Sequence, residues 1–115
     1  MSNELSKTVA DTPVEEKIEI MPPVDITEED DCYNMFFEVP GTNASSVKAE
    51  VENSILTVEC ASTLRKNNRP VLYKRVFRLT RAVDVNKITA EVKDGILSLK
   101  LPKADHVKPF KVPVA

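Results

Sequence analysis

The side chains of this chain that could do chemistry are few and scattered. A Ser/His/Asp or Cys/His set needs an imidazole held against a nucleophile. The only histidine, His106, stands in a polar, proline-interrupted stretch near the C-terminus. No cysteine or second histidine accompanies it at the spacing that tetrahedral metal ligation uses. A phosphate-cradling loop needs several closely spaced glycines, and the chain has only Gly41 and Gly95. Cys32 and Cys60 both fall in strand-like runs, where paired burial as free thiols is the plain reading for an intracellular chain. The basic stretch LRKNNRP, residues 64–70, reads as a solvated loop and not as a nucleic-acid patch. A hydrolase or metal enzyme therefore finds no titratable constellation to work with, and no cofactor, no metal and no enzymatic activity are expected.

The bulk properties narrow the field further. With 115 residues the chain can bury one core but not two. Sixteen basic residues against eighteen acidic ones leave a formal charge of −2, which gives no broad field for nucleic acid or an anionic membrane. The N-terminal MSNELSKTVADTPVEEK lacks the apolar centre of a secretory signal, and no apolar run approaches the roughly 20 residues of a membrane span. A soluble cytoplasmic protein is expected.

What remains for function is surface shape, and the elements that set it are legible. Two stretches nearly repeat: VKAEVENSILTVEC from Val47 and ITAEVKDGILSLKL from Ile88. They agree at Ala49/Ala90, Glu50/Glu91, Val51/Val92, Ile55/Ile96 and Leu56/Leu97. In each copy an alternating run meets a two-residue break, Asn53-Ser54 or Asp94-Gly95, and a second alternating run follows. Period-two runs around such a break predict a β-hairpin, and Asp-Gly is among the strongest short signals because a type I′ turn needs positive φ at both central positions.

Across the chain the same reading predicts strands at 24–27, 33–39, 47–52, 55–60, 71–79, 88–93 and 96–101. Tyr33, Met35, Phe37 and Val39 share one face, as do Leu56, Val58 and Cys60, and again Leu97, Leu99 and Leu101. Short half-buried strands with few helix signals predict an all-β, antiparallel sandwich. Residues 1–21 are expected to be a flexible arm ended by Pro22-Pro23, residues 22–103 the domain, and 104–115 a C-terminal extension. Pro40-Gly41 is expected to turn, residues 61–70 to form a polar loop, and residues 80–86 a bend around Asp84. The extension ends on apolar Val112-Pro113-Val114, and an apolar tip on a flexible tail asks for a surface to cover it.

These landmarks, in this order, resemble the small heat shock proteins, a family built on the α-crystallin domain. The stretch AEVKDGIL, with Asp94, Gly95, Ile96 and Leu97, is similar to the family's Ala-x-x-x-x-Gly-(Val/Ile)-Leu signature, and Leu101-Pro102-Lys103 to the close of its domain. PPVDI at 22–26, FEVPG at 37–41, AEVEN at 49–53 and FRL before Val83-Asp84 add support. Val112-Pro113-Val114 fits the family's C-terminal Ile/Val-x-Ile/Val motif.

The resemblance implies an immunoglobulin-like sandwich that holds unfolding proteins without ATP. It also implies that the C-terminal motif docks in a groove between residues 47–52 and 88–93, so that Val47, Ala49, Val51, Ile88, Ala90 and Val92 would form the site. The chain departs from many bacterial and plant members, whose long loop carries a strand that swaps into a partner; here that region is reduced to 61–70, and the arm is short. A small assembly, a dimer or a few dimers, is expected, with the strand carrying Val71, Tyr73, Arg75 and Phe77 as the candidate edge for pairing. The expected partners are unfolding client proteins and further copies of this chain. The alternative is a co-chaperone-like module of the same sandwich class that binds one folded partner.

Overall fold

The structure, a computed structural model, describes residues 16–115. Eight strands run in chain order: β1 Ile18–Ile20, β2 Val24–Glu28, β3 Cys32–Glu38, β4 Val47–Glu52, β5 Ile55–Lys66, β6 Arg69–Arg78, β7 Thr89–Lys93 and β8 Ile96–Pro102. They form two four-stranded sheets, β1-β6-β5-β4 and β2-β3-β8-β7. Every pairing is antiparallel except β1 on β6. Alternation does the folding: each strand places one face against the other sheet, and Met35, Phe37, Val39, Leu56, Val58, Cys60, Val71, Tyr73, Leu97, Leu99 and Leu101 make one core. Phe37 meets Phe77 edge-on across it, ring centroids 5.9 Å apart.

The near-repeat is one hairpin used twice. Asn53 and Ser54 have φ of 52° and 67°, Asp94 and Gly95 of 51° and 77°, so both breaks are type I′ turns whose twist suits the flanking strands. One hairpin, β4–β5, belongs to the first sheet, and the other, β7–β8, to the second.

Two expectations are corrected here. Residues 61–70 are not a loop: β5 continues to Lys66, β6 starts at Arg69, and a third type I′ turn at Asn67-Asn68, φ 52° and 60°, joins them. The pairing slips register between Ala61 and Arg65, so the ribbon bends as it passes the end of the sandwich. The flexible arm expected over residues 1–21 also runs too far, because Ile18–Ile20 is already a strand within it; its residues 1–15 lie outside the described residues.

The Pro40-Gly41 turn is packed beneath the ribbon. Gly41, at φ 80°, has no room for a Cβ, which would fall on Ser62 Oγ and come within 2.9 Å of Leu64 Cγ. Ser62 Oγ donates to the Pro40 carbonyl at 2.7 Å, and Thr63 N–H donates to the Gly41 carbonyl at 2.9 Å.

Candidate functional site

The two hairpins meet along their first strands. β4 is the outer strand of one sheet and β7 of the other, so each leaves a row of backbone groups unpaired on the same side of the sandwich. Between them runs a groove with three rungs. Val47 faces the Val92 end, Ala49 and Ala90 form the middle, and Val51 faces the Ile88 end. The alanines give a waist with a hollow on either side: one of about 260 Å³ beside Val47, Val92 and Leu97, and one of about 340 Å³ beside Val51, Leu56, Val85 and Ile88. Val47, Val51, Ile88 and Val92 are half-buried and pack on the core from above, while Ala49 and Ala90 are exposed. All six residues expected at the groove are therefore brought together.

Sequence reasoning missed Leu56, Leu97 and Val85. The first two are core residues whose flanks floor the groove. Val85 lies in a 3-10 turn, Val85–Lys87, that the side chain of Asp84 caps by accepting from the Asn86 N–H at 3.2 Å. Asp84 marked that bend in the sequence, but only the fold carries it to the groove's end.

The signature turn acts as a brace and not as a contact. Gly95 presents its carbonyl to Val39 N–H at 2.7 Å, and a Cβ there would lie 3.3 Å from Pro40 Cα. Leu97 is buried, whereas Ile96 faces out.

The expected pairing edge on β6 is occupied over part of its length. Val71 and Tyr73 are buried core residues, and their outer backbone is already paired: Ile18 aligns with Val71 and Ile20 with Tyr73. Arg75 turns inward, its Nη1 donating to the Pro22 carbonyl at 3.0 Å and its guanidinium lying 5.3 Å from the Phe77 ring centroid. Phe77 itself packs toward the core. The reason is positional. From Val71 to Phe77 the odd-numbered residues of β6 face inward, Val71 and Tyr73 fully and Arg75 and Phe77 in part, and among the described residues β1 lies along the strand only over Val71–Tyr73.

At the far end of the sandwich Lys103 is buried, with its Nζ donating to Glu28 Oε2 at 2.7 Å and lying 5.1 Å from the Tyr33 ring centroid. The Glu28 hydrogen bond holds the ammonium above its ordinary pKa. Lys103 thereby ties β2 to the end of β8 just where the tail departs. Beyond it a 3-10 turn at Asp105–Val107 leads to a tail in which Val112 and Val114 are exposed.

Neither cysteine is poised for chemistry. Burial pushes Cys60 up to about 11, and burial followed by the nearby Glu29 and Asp31 carboxylates raises Cys32. Glu29, Asp31 and Cys32 place ligand atoms within 4.8 Å of one another, but Glu29 already accepts from Asn34 Nδ2 at 2.6 Å. Among the described residues no helix is long and apolar enough to cross a membrane.

A sandwich of this strand order, with its edge groove and glycine-braced hairpin, can be compared with known proteins. Residues 25–115 match the sequence model of the Hsp20/alpha crystallin family. The chain belongs to that family. It is 30% identical to the small heat shock protein C4 of Rickettsia felis, over 98% of this chain and 75% of the relative. It is also 30% identical to a 17.6 kDa class II heat shock protein of Arabidopsis thaliana, over 80% of this chain and 69% of the relative. Among solved structures, a small heat-shock protein from Xylella fastidiosa, described as having a distinct high order structure, superposes with a TM-score of 0.66 at 22% identity, covering 85% of this chain and 99% of that one. The hspA protein of Xanthomonas axonopodis gives 0.65 at 25% identity, covering 75% and 96%. As a member of the Hsp20/alpha crystallin family the chain is a small heat shock protein, one of a group of non-enzymatic stress-response chaperones with an α-crystallin sandwich.

Proposed function

We propose that this protein is an ATP-independent holdase of the cytoplasm, and that the groove between β4 and β7 is where it engages its own C-terminal motif. The observation that carries the reading is the pairing of two unmatched features: an apolar groove bordered by two free strand edges, and an exposed Val112-Pro113-Val114 segment whose two valines would gain by burial. An extended segment laid along such an edge gains main-chain hydrogen bonds from the strand and burial from alternate side chains. That mode tolerates many sequences, so the same surface suits unfolding clients. Holding them acts by mass action, because a bound apolar segment is removed from the concentration-dependent route to aggregation.

Residues 22–103 would then be the working domain and 104–115 its movable cover, with further copies of the chain as partners. The self-association is not assigned to β6, whose edge is occupied over Val71–Tyr73.

The test is light scattering of an unrelated protein unfolding by heat or by reduction, without ATP. Aggregation should fall as subunit approaches equimolar. Unchanged scattering at excess subunit would sink the holdase reading and leave a module for one folded partner.

A further inference from the structure

The side of the sandwich away from β4 and β7 has a hollow of its own. Beyond the end of β1 the two sheets part between β2 and the C-terminal end of β6, leaving about 270 Å³ walled chiefly by Ile26, Tyr33, Phe77, Leu79, Val83 and Leu101. β2 is the outer strand of its sheet, and Ile26 at the mouth is 55% exposed.

The C-terminal tail starts at the rim of this hollow. Val83 bridges to Lys103, and the Ala104 N–H donates to the Ala82 carbonyl at 2.8 Å. Six residues further on stands Phe110, at 81% the most exposed aromatic ring of the described residues. Six residues of extended chain reach about 20 Å at roughly 3.3 Å each. That length brings the ring back past Val83 even after the 3-10 turn at Asp105–Val107 has taken up part of it.

Charge points the same way. The connection from β2 to β3 is acidic from Glu28 to Asp31 and lies at this end of the sandwich, where the Lys103 N–H donates to the Asp31 carbonyl at 2.8 Å. Glu28 is taken by Lys103 and Glu29 by Asn34, while Asp30 and Asp31 stand exposed. Two lysines flank Phe110 in the sequence. Lys108 pairs with Asp105 at 3.1 Å, and Lys111 has no such partner among the described residues.

We propose that Phe110 is the clasp of a strap that closes on its own chain: the ring enters the hollow between β2 and β6 against Tyr33, Phe77 and Leu101, and Lys111 comes to the acidic corner at Asp30-Asp31. The structure shows the strap open. The seat is the chain's own because a short tether gives an effective concentration on the order of millimolar, which a ring on a second copy does not match in micromolar protein. Pro109 lowers the ordering cost, since its φ is already fixed beside the clasp. The strap concerns the opposite side of the sandwich from the groove of the valine motif and does not rest on the docking proposed above. While closed it hides an apolar surface that would otherwise draw in unfolding chains, so this side becomes available only when the tail is drawn away.

The chain contains no tryptophan, so full-length protein carrying Phe110→Trp reports on this one position. In micromolar protein its emission is expected to lie to the blue of a peptide of residues 104–115 with the same substitution, and acrylamide should quench it several-fold less. Adding Ile26→Gln, at an exposed position and with circular dichroism unchanged, should return both readings to those of the peptide. Val85→Gln, at the end of the β4–β7 groove, should leave them where they were, and Lys111→Glu should move them part of the way.

Emission and quenching equal to the peptide's from the start would overturn the proposal. Loss of the blue shift with Val85→Gln in place of Ile26→Gln would put the ring in the other groove. A blue shift that disappears on hundredfold dilution would put it on a second copy. Either result overturns the assignment, and a reading that Lys111→Glu leaves untouched would remove the acidic corner from it.

Discussion

The two long sides of this sandwich start from similar material and end differently. On one side β4 and β7 close the two sheets with short alternating strands whose edges are free, and the space between them is an apolar groove. On the other, β6 would have been an edge of equal promise, but Ile18–Ile20 lies along it and Arg75 clasps the Pro22 carbonyl. Edge strands invite pairing, and proteins either cover them or use them. This chain covers part of one with its own N-terminal segment and leaves the other open. Burial of side chains in a strand therefore says nothing about whether its backbone edge is available; only the neighbouring strand decides that.

The largest effect should come from breaking the open side. Changing Val112 and Val114 together to Gly removes two side chains, each worth about 1.5–3 kcal/mol when fully buried, less the cost of ordering the tail. Any assembly above a dimer should shrink in native mass spectra with the sandwich still folded by circular dichroism. Enlarging Ala90 to Phe should give the same shrinkage by filling the waist from the other partner. If the two variants differ in assembly size, or both match the parent at every concentration, the tail does not dock at β4 and β7.

The hairpin brace on that side is next. Gly95→Val forces a β-branched residue to φ 77° with its Cβ 3.3 Å from Pro40 Cα. A loss of roughly 1–3 kcal/mol is expected from the backbone alone. A denaturant midpoint that does not move would show that the turn relaxes freely.

On the covered side, Ile20→Asn should loosen β1 at a cost of about 1–2 kcal/mol, since Ile20 is only partly buried and recovers less than full transfer energy. The more telling readout is amide exchange. Protection along Val71–Tyr73 should fall while that of β3 and β8 holds, and aggregation should rise as the freed edge finds partners. Unchanged protection on β6 would mean that β1 is not what guards it.

The smallest effect tests the likeness of the two hairpins. Ser54 holds φ 67° where its counterpart is glycine, so Ser54→Gly should stabilise by about 0.5–1 kcal/mol, the relief of a left-handed L residue less the added chain entropy. A loss of stability would show that the Ser54 side chain contributes something that the turn geometry does not reveal.

Most of the fold was legible because alternation is local. The faces of β3, β5 and β8 follow from which residues are apolar at period two, and the buried set Met35, Phe37, Val39, Leu56, Val58, Cys60, Leu97, Leu99 and Leu101 lies on those faces. The groove residues were legible through the near-repeat, read with the family resemblance. The ribbon at 61–70 was not, since Leu64 is its one large apolar side chain and is itself exposed, so period-two reasoning has almost nothing to count. Its one local signal was Asn67-Asn68, as the type I′ turn favours asparagine at positive φ. The strand Ile18–Ile20 is too short to show a period, and its partner lies about fifty positions away.

By itself, then, the chain's order of residues determined the hairpins, their turns, the inward faces and the apolar tip of the tail, because each depends on steric and solvation preferences of a few neighbouring residues. Tertiary structure alone decided which edges are open. Whether a backbone N–H on β4, β6 or β7 has a partner depends on what lies beside it in space: β1 arrives at β6 from the far end of the chain, and the first strands of two hairpins in opposite sheets come to face each other across a gap that neither hairpin contains.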